Sequence, residues 1–246
     1  MELSLNKGLF ITGTDTGVGK TVVAATLAYA LQQRHIDFSY VKPVESGIAN
    51  REYLEKKSDA ALVKKAGVLS EPLTEIVPFT FREPLAPLLA ARREGVNLSG
   101  KELSECIKSR IKPSKLTLVE GAGGILAPLC PNYLIIDLIK DLQLPVLVVC
   151  RTSLGAINHT MLTLDRLRQE KIEPVGIIAN HTTATPDIAE ETFIKQLTEF
   201  DPVTILGELP FLENPPSKLQ AWKRLSGHLN PDKLLNLMVN PVTTQE

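Results

Sequence analysis

The sequence predicts an α/β protein with a mainly parallel sheet and helices on both of its faces. Three observations carry that prediction. Short apolar runs alternate with segments of helical period, as strands buried on two faces alternate with the helices that cover them. The loop after the first run has the glycine and lysine spacing of a phosphate cradle. The connections between runs are long enough to cross over a parallel sheet.

The elements follow in order. Gly8 to Thr12 is short, apolar and ends at the glycine-rich loop, and so reads as a strand. Lys20 to Gln33 places Val23, Leu27 and Leu31 four apart, the spacing of one helix face. A second strand is predicted over Phe38 to Val44, and the polar stretch Asn50 to Ser58 is predicted to be a mobile loop. An amphipathic helix from Ser99 to Ile111 leads into a strand at Leu116 to Glu120. Strands at Pro145 to Cys150, Pro174 to Asn180 and Val203 to Leu209 then alternate with helices at Ala156 to Glu170 and Pro186 to Phe200, which makes six strands. Pro215-Pro216 marks a break before helical structure within Ser217 to Met238, and the tail after Asn240 is expected to fray. Without a repeat or linker, residues 1–246 fit one domain.

Composition narrows the function. Apolar residues at 43% and charged residues at 22% are those of a globular protein, and 27 Lys plus Arg against 28 Asp plus Glu give no electrostatic case for nucleic acid or membrane. Met1 to Lys7 lacks the pattern of a signal peptide, and no apolar run approaches the roughly 20 residues that span a bilayer. A cytoplasmic protein acting on small molecules is expected. Cys106, Cys130 and Cys150 lack disulfide or zinc spacing and read as core residues. His35, His159, His181 and His228 show no metal-ligand spacing. Arg92-Arg93-Glu94 reads as a solvated helix end, and Trp222 as a packing anchor.

The strongest motif is Gly13-Thr14-Asp15-Thr16-Gly17-Val18-Gly19-Lys20-Thr21, between the first strand and the first helix. Backbone N–H groups of such a turn and helix start converge on an anion, and the helix dipole adds to the field. Lys20 would reach the β- and γ-phosphates of ATP, and the Thr21 hydroxyl would hold Mg2+. This is the nucleotide loop of a P-loop NTPase fold, with one irregularity: Thr14 stands at the usual first-glycine position. A second motif, Leu116 to Gly124, delivers Glu120 and then glycines at the end of a strand. Ligands of open α/β sheets bind at that edge, so Glu120 would share a crevice with the phosphate loop and is a candidate Mg2+ ligand. Alone, it is also compatible with a turn. Lys42 and Ser46 end the second strand, where a lone lysine reads as solvated, and Ser58-Asp59 reads as an ordinary helix start.

Taken together these segments resemble the dethiobiotin synthetase family. The resemblance rests on Gly13 to Thr21, Lys42-Pro43-Val44-Glu45-Ser46-Gly47, Ser58-Asp59-Ala60, Val119 to Gly124, Leu154 to His159, Ala179-Asn180 and Gly207-Glu208-Leu209-Pro210, in family order over nearly the whole chain. It also accounts for the lengthened phosphate loop. It implies an ATP- and Mg2+-dependent reaction of 7,8-diaminononanoate with CO2 that gives dethiobiotin, ADP and phosphate through a carbamate. The implied roles are Lys42 and Lys20 on the carbamate and the transferring phosphoryl group, and Thr16, Ser46, Leu154 and Asn158 on the substrate. Gly17, Val18, Gly19, Lys20, Thr21, Val22, Gly121, Ala122 and Gly123 would surround the nucleotide. Asn180 would bind the adenine in a pocket formed by Pro210, Phe211 and Leu212. Thr21, Asp59 and Glu120 would hold Mg2+. The resemblance further implies a homodimer in which Leu154 to Asn158 reach the partner's substrate. Three residues depart from the family pattern. His181 stands where Asp is frequent, Leu88 where His is frequent, and Gly17 where some members are acidic. The competing reading from the same fold is a partitioning-type ATPase that works through dimerisation and partner binding. Such proteins carry a lysine early in the loop, where this chain has Thr14 and Asp15.

Overall fold

The computed structural model describes residues 7–214, 216 and 219–239. In chain order its elements are β1 (Gly8–Gly13), α1 (Lys20–Gln33), β2 (Phe38–Val41), β3 (Val44–Ser46), α2 (Arg51–Lys57), α3 (Asp59–Gly67), α4 (Leu73–Ile76), β4 (Phe79–Phe81), α5 (Pro87–Arg93) and α6 (Gly100–Lys108). The second half continues with β5 (Leu116–Glu120), β6 (Pro128–Cys130), β7 (Tyr133–Leu134), α7 (Ile135–Leu142), β8 (Val146–Arg151), α8 (Ala156–Gln169), β9 (Gly176–Asn180), α9 (Ile188–Phe200), β10 (Ile205–Leu209), α10 (Leu219–Ser226) and α11 (Pro231–Val239). No helix among the described residues is long and apolar enough to cross a membrane.

The central sheet has six strands in the order β10-β9-β8-β1-β5-β2, and every pairing in it is parallel. Strand alternation divides its side chains between two cores. Phe10, Val119, Val148 and Cys150 pack toward α6, α7, α8 and α9, through residues such as Leu103, Ile139, Leu164 and Phe193. Leu9, Ile11, Tyr40 and Leu118 face α1, α3, α10 and α11, through Val23, Leu27, Val63, Trp222 and Leu234. Helices therefore cover both faces, which explains why the strands read as continuous apolar runs. Because β1 lies between β5 and β8, the crossovers diverge to either side of it. The C-terminal end of β1 opens at the switch point where α/β sheets bind ligands.

The structure corrects several boundaries. The strand predicted through Val44 stops at Val41, since Pro43 has no N–H to offer a ladder. Val44–Ser46 instead pairs with β4 in a separate two-stranded parallel sheet. The stretch Asn50 to Ser58 is not a loop. It holds helix α2, which starts with the Asn50 side chain accepting from the Tyr53 N–H at 2.8 Å and carries the ion pairs Arg51–Glu55 and Lys56–Glu52. That helix buries none of its residues and so has no apolar stripe to announce it. Cys130 and Cys150 are core residues as expected, while Cys106 is half-buried. Pro215 and the tail after Asn240 lie outside the described residues.

Candidate active site

The phosphate loop owes its shape to one glycine in particular. Gly19 lies at φ 99°, in the left-handed region, and a Cβ there would come within 2.3 Å of the Asn180 amide nitrogen. That close approach lets Asn180, at the end of β9, donate from Nδ2 to the Val18 carbonyl at 3.0 Å. No side chain caps α1, so the N–H groups of its first turn lie at the mouth of the loop. On the far side of the loop, Asp15 pairs with Arg151 at 2.7 Å, from the end of β8. Lys20 folds back and donates from Nζ to the Asp15 carbonyl at 2.8 Å. Burial lowers its pKa to about 8, against the opposing pull of Glu120.

Behind the loop four elements meet on buried charge. Residues 38, 40 and 42 share one side of the second strand and its extension, and residues 116, 118 and 120 share the same side of β5. This parity brings Tyr40, Lys42 and Glu120 together beneath the starts of α1 and α3. The Lys42 ammonium bonds to Glu120 Oε1 and lies 2.6 Å from Asp59 Oδ2. Thr21 donates from Oγ1 to the same Glu120 oxygen at 2.8 Å, and Tyr40 donates its phenol to Oε2 at 2.7 Å. Burial works against the Lys42 charge, yet Glu120, Asp59 and Glu45 outweigh it and hold the ammonium above the ordinary lysine range. Burial likewise opposes the Asp59 charge, and Lys42 overcomes it, leaving that carboxyl below its usual value.

Glu45 fixes the position of Asp59. Its carboxylate accepts from the N–H groups of Asp59 at 2.6 Å and Ala60 at 3.3 Å, while the Ser58 hydroxyl accepts from Ala61 at 2.9 Å. The first three donors of α3 are thereby satisfied. Burial and the neighbouring Asp59 push the Glu45 pKa up to about 7.

Lys20, Thr21, Lys42, Glu45, Asp59 and Glu120 line a cavity of about 600 Å³ together with Thr16, Gly17, Gly19, Val22, Ser46, Ala122, Gly123 and residues 84–87. The structure therefore brings most of the sequence-predicted residues into one crevice. It does not bring all of them. Val18 and Gly121 are buried behind the wall, and Asn180 stands behind the loop. Pro210, Phe211 and Leu212 follow β10, whose last residue Leu209 pairs with Asn180, and so flank that side of the loop. Leu154 and Asn158 are exposed outside the cavity, Leu154 at 87%. His181 bonds through Nε2 to Glu208 at 2.7 Å, and Leu88 lines a different depression near Ser99. Tyr40, Glu45 and Arg151 were missed as site residues. The alternation of Tyr40 with Lys42 was a usable signal for the first of these. Nothing local in the sequence announces the other two.

The donor set suits a small hard cation. Thr21, Asp59 and Glu120 offer one hydroxyl and two carboxylates beside the phosphate loop, as expected where Mg2+ takes its other ligands from phosphate and water. Among the described residues there is no cluster of three His, Cys, Asp or Glu that would form an all-protein cage.

Known proteins resemble this chain in sequence and in fold. A family model described as an AAA domain matches residues 7–215. The ATP-dependent dethiobiotin synthetase BioD of Bacillus licheniformis is 40% identical over 236 residues, covering 94% of this chain and 97% of the relative. Its counterparts are 38% identical in Bacillus subtilis strain 168, over 94% of this chain and 98% of theirs, and 37% in Thermodesulfovibrio yellowstonii, over 85% and 90%. Among solved structures, the MinC:MinD cell division complex of Aquifex aeolicus aligns at TM-score 0.55 with 11% identity, over 98% of both chains. A putative plasmid partition protein from Borrelia burgdorferi B31, bound to AMPPNP, aligns at 0.54 with 13% identity, over 96% and 99%. At such identities these two show the P-loop fold alone. The sequence relatives settle the family: this chain belongs to the ATP-dependent dethiobiotin synthetases.

Proposed function

We propose that the chain, as one cytoplasmic domain working in a homodimer, carboxylates and cyclises 7,8-diaminononanoate with CO2 at the expense of ATP. One observation carries the proposal: the buried Lys42 ammonium, shared by Asp59 and Glu120, sits in the cavity that the phosphate loop lines. An ammonium has three donors, and two of these are taken by the carboxylates. The third suits an anionic oxygen in the cavity.

In this reading a substrate amine attacks the carbon of CO2 and loses a proton, which gives a carbamate. A carbamate oxygen attacks the γ-phosphorus and ADP departs. The second amine then attacks the carbamoyl carbon, releasing phosphate and closing the ureido ring. The substrate supplies both nucleophiles, so the protein contributes position and charge. Lys42 and Lys20 meet the charge of the carbamate and the transferring phosphoryl group, while Thr16 and Ser46 orient the substrate. Leu154 and Asn158 complete the site from the partner subunit. Thr21, Asp59 and Glu120 hold Mg2+, which when bound neutralises charge on the phosphates. Residues from Gly17 to Val22 and Gly121 to Gly123 enclose the nucleotide, with Pro210, Phe211 and Leu212 beside the base. Asn180, its Nδ2 committed to Val18, has Oδ1 left as an acceptor, which suits the exocyclic amino group of adenine.

Mass spectrometry with 13C-bicarbonate tests this reading. The expected result is a product heavier than the diamine by one labelled carbonyl less the two hydrogens lost on ring closure, formed only with ATP. ATP consumption without labelled product would contradict it.

A further inference from the structure

The contacts of Glu120 contain a residue that the proposed chemistry does not use. Tyr40 is 2% exposed and belongs to the core facing α1 and α3. Its partner in the sheet is Leu118, so Glu120 is the diagonal neighbour two residues on. A long aromatic side chain spans that diagonal. The phenol uses its reach for one bond, to Glu120 Oε2 at 2.7 Å. Phenylalanine would fill the same apolar space, so hydrophobic packing does not account for the hydroxyl.

Glu120 itself is 0% exposed. Its Oε1 faces the Thr21 hydroxyl and the Lys42 ammonium, and its Oε2 faces Tyr40. The two oxygens thus have separate duties, and a partial rotation of the carboxylate about its last bond would turn both away from them. Thr21 and Lys42 cannot prevent that rotation if they turn toward nucleotide or substrate. Tyr40 lies in the core and has no such alternative.

We infer that Tyr40 is a positioning residue that locks the Glu120 carboxylate, keeping Oε1 turned to the cation and to Lys42 while Oε2 is held by the phenol. The inference rests on the reading of Glu120 as a Mg2+ ligand. Partners that orient a metal ligand typically carry a 10- to 100-fold share of metal affinity, although they never touch the ion.

The test is the affinity for Mn2+ in the presence of a non-hydrolysable ATP analogue, read from the electron paramagnetic resonance of the free ion. In Tyr40→Phe the Kd is expected to rise about 10-fold, while the analogue alone binds as in wild type. In Glu120→Gln the Kd also rises, and adding Tyr40→Phe to that variant brings no further loss. A fall in Tm with an unchanged Mn2+ Kd in Tyr40→Phe would reduce Tyr40 to a packing residue and overturn the inference. If Glu120→Gln leaves Mn2+ binding intact, the ligand reading itself falls, and the role of Tyr40 with it. A second measurement needs no variant. With all four tyrosines carrying 13C at Cζ, one resonance is expected to move as Mg2+ is titrated in with the analogue. Four unmoved resonances would also overturn the inference.

Discussion

A lysine that is 4% exposed and held by two carboxylates is an expensive arrangement in a core, and its energetics differ from those of a surface pair. Removing one partner of a buried pair leaves the other charge unmet, at a typical cost of about 3–5 kcal/mol. We therefore expect Lys42→Ala to lower stability and also to reduce turnover on the order of 100- to 1,000-fold, the range seen when a preorganised charge-stabilising donor is lost. Nucleotide binding, which depends on the loop, is expected to persist. Near-normal turnover in that variant would remove Lys42 from the mechanism. Glu45 gives a second test at this scale. Its folded pKa of about 7 lies above the ordinary value of 4.5, so the folded state holds the proton more tightly between those limits. The stability contributed by this group is full below about pH 4.5 and is lost as the pH rises through about 7. Urea titrations of Glu45→Gln without nucleotide or divalent cation are expected to show a flatter pH profile across that window. An identical slope in the variant and wild type would contradict the assignment.

The elements place these residues through their ends. β1 ends in the phosphate loop, β5 ends in Glu120, and α3 begins with Asp59, held by Glu45 and Ser58. Gly19 is the narrowest point, because any side chain there meets both a left-handed backbone and Asn180. Gly19→Ala is expected to abolish measurable nucleotide binding in calorimetry while the sheet stays folded; unaltered binding would show that the loop tolerates displacement of Asn180. What was legible in the sequence follows the same division. The six sheet strands, α1 and the phosphate loop were readable because strong apolar periodicity and glycine spacing are local signals. β3 with β4 and β6 with β7 were not, because strands of two or three residues are too short to show an alternation. Helix α2 hid behind a largely polar composition, with Tyr53 and Leu54 as its apolar residues. Lys42 and Asp59 looked ordinary alone, and only the resemblance to a family, followed by the fold, joined them. The contacts made by Tyr40 and Glu45 required coordinates, since each depends on register between separate elements.

At the scale of the whole molecule, a six-stranded parallel sheet opens one crevice at the end of β1 and gathers there the loop, Lys20, Lys42 and the carboxylates of Glu45, Asp59 and Glu120. Leu154 stands apart from that crevice and is 87% exposed. The proposed homodimer accounts for so large an exposed apolar side chain by placing it against the partner. Sedimentation equilibrium is expected to give twice the 27.0 kDa chain mass, and Leu154→Ala to lower turnover without lowering Tm. A monomer with full activity would contradict the dimeric site. The fold is shared with a cell division protein and a putative plasmid partition protein, so fold alone does not decide between a synthetase and a nucleotide switch. ATP turnover in the pure protein decides it most directly. The account predicts ADP formation only when 7,8-diaminononanoate and CO2 are present together, and hydrolysis that proceeds equally without either would contradict it.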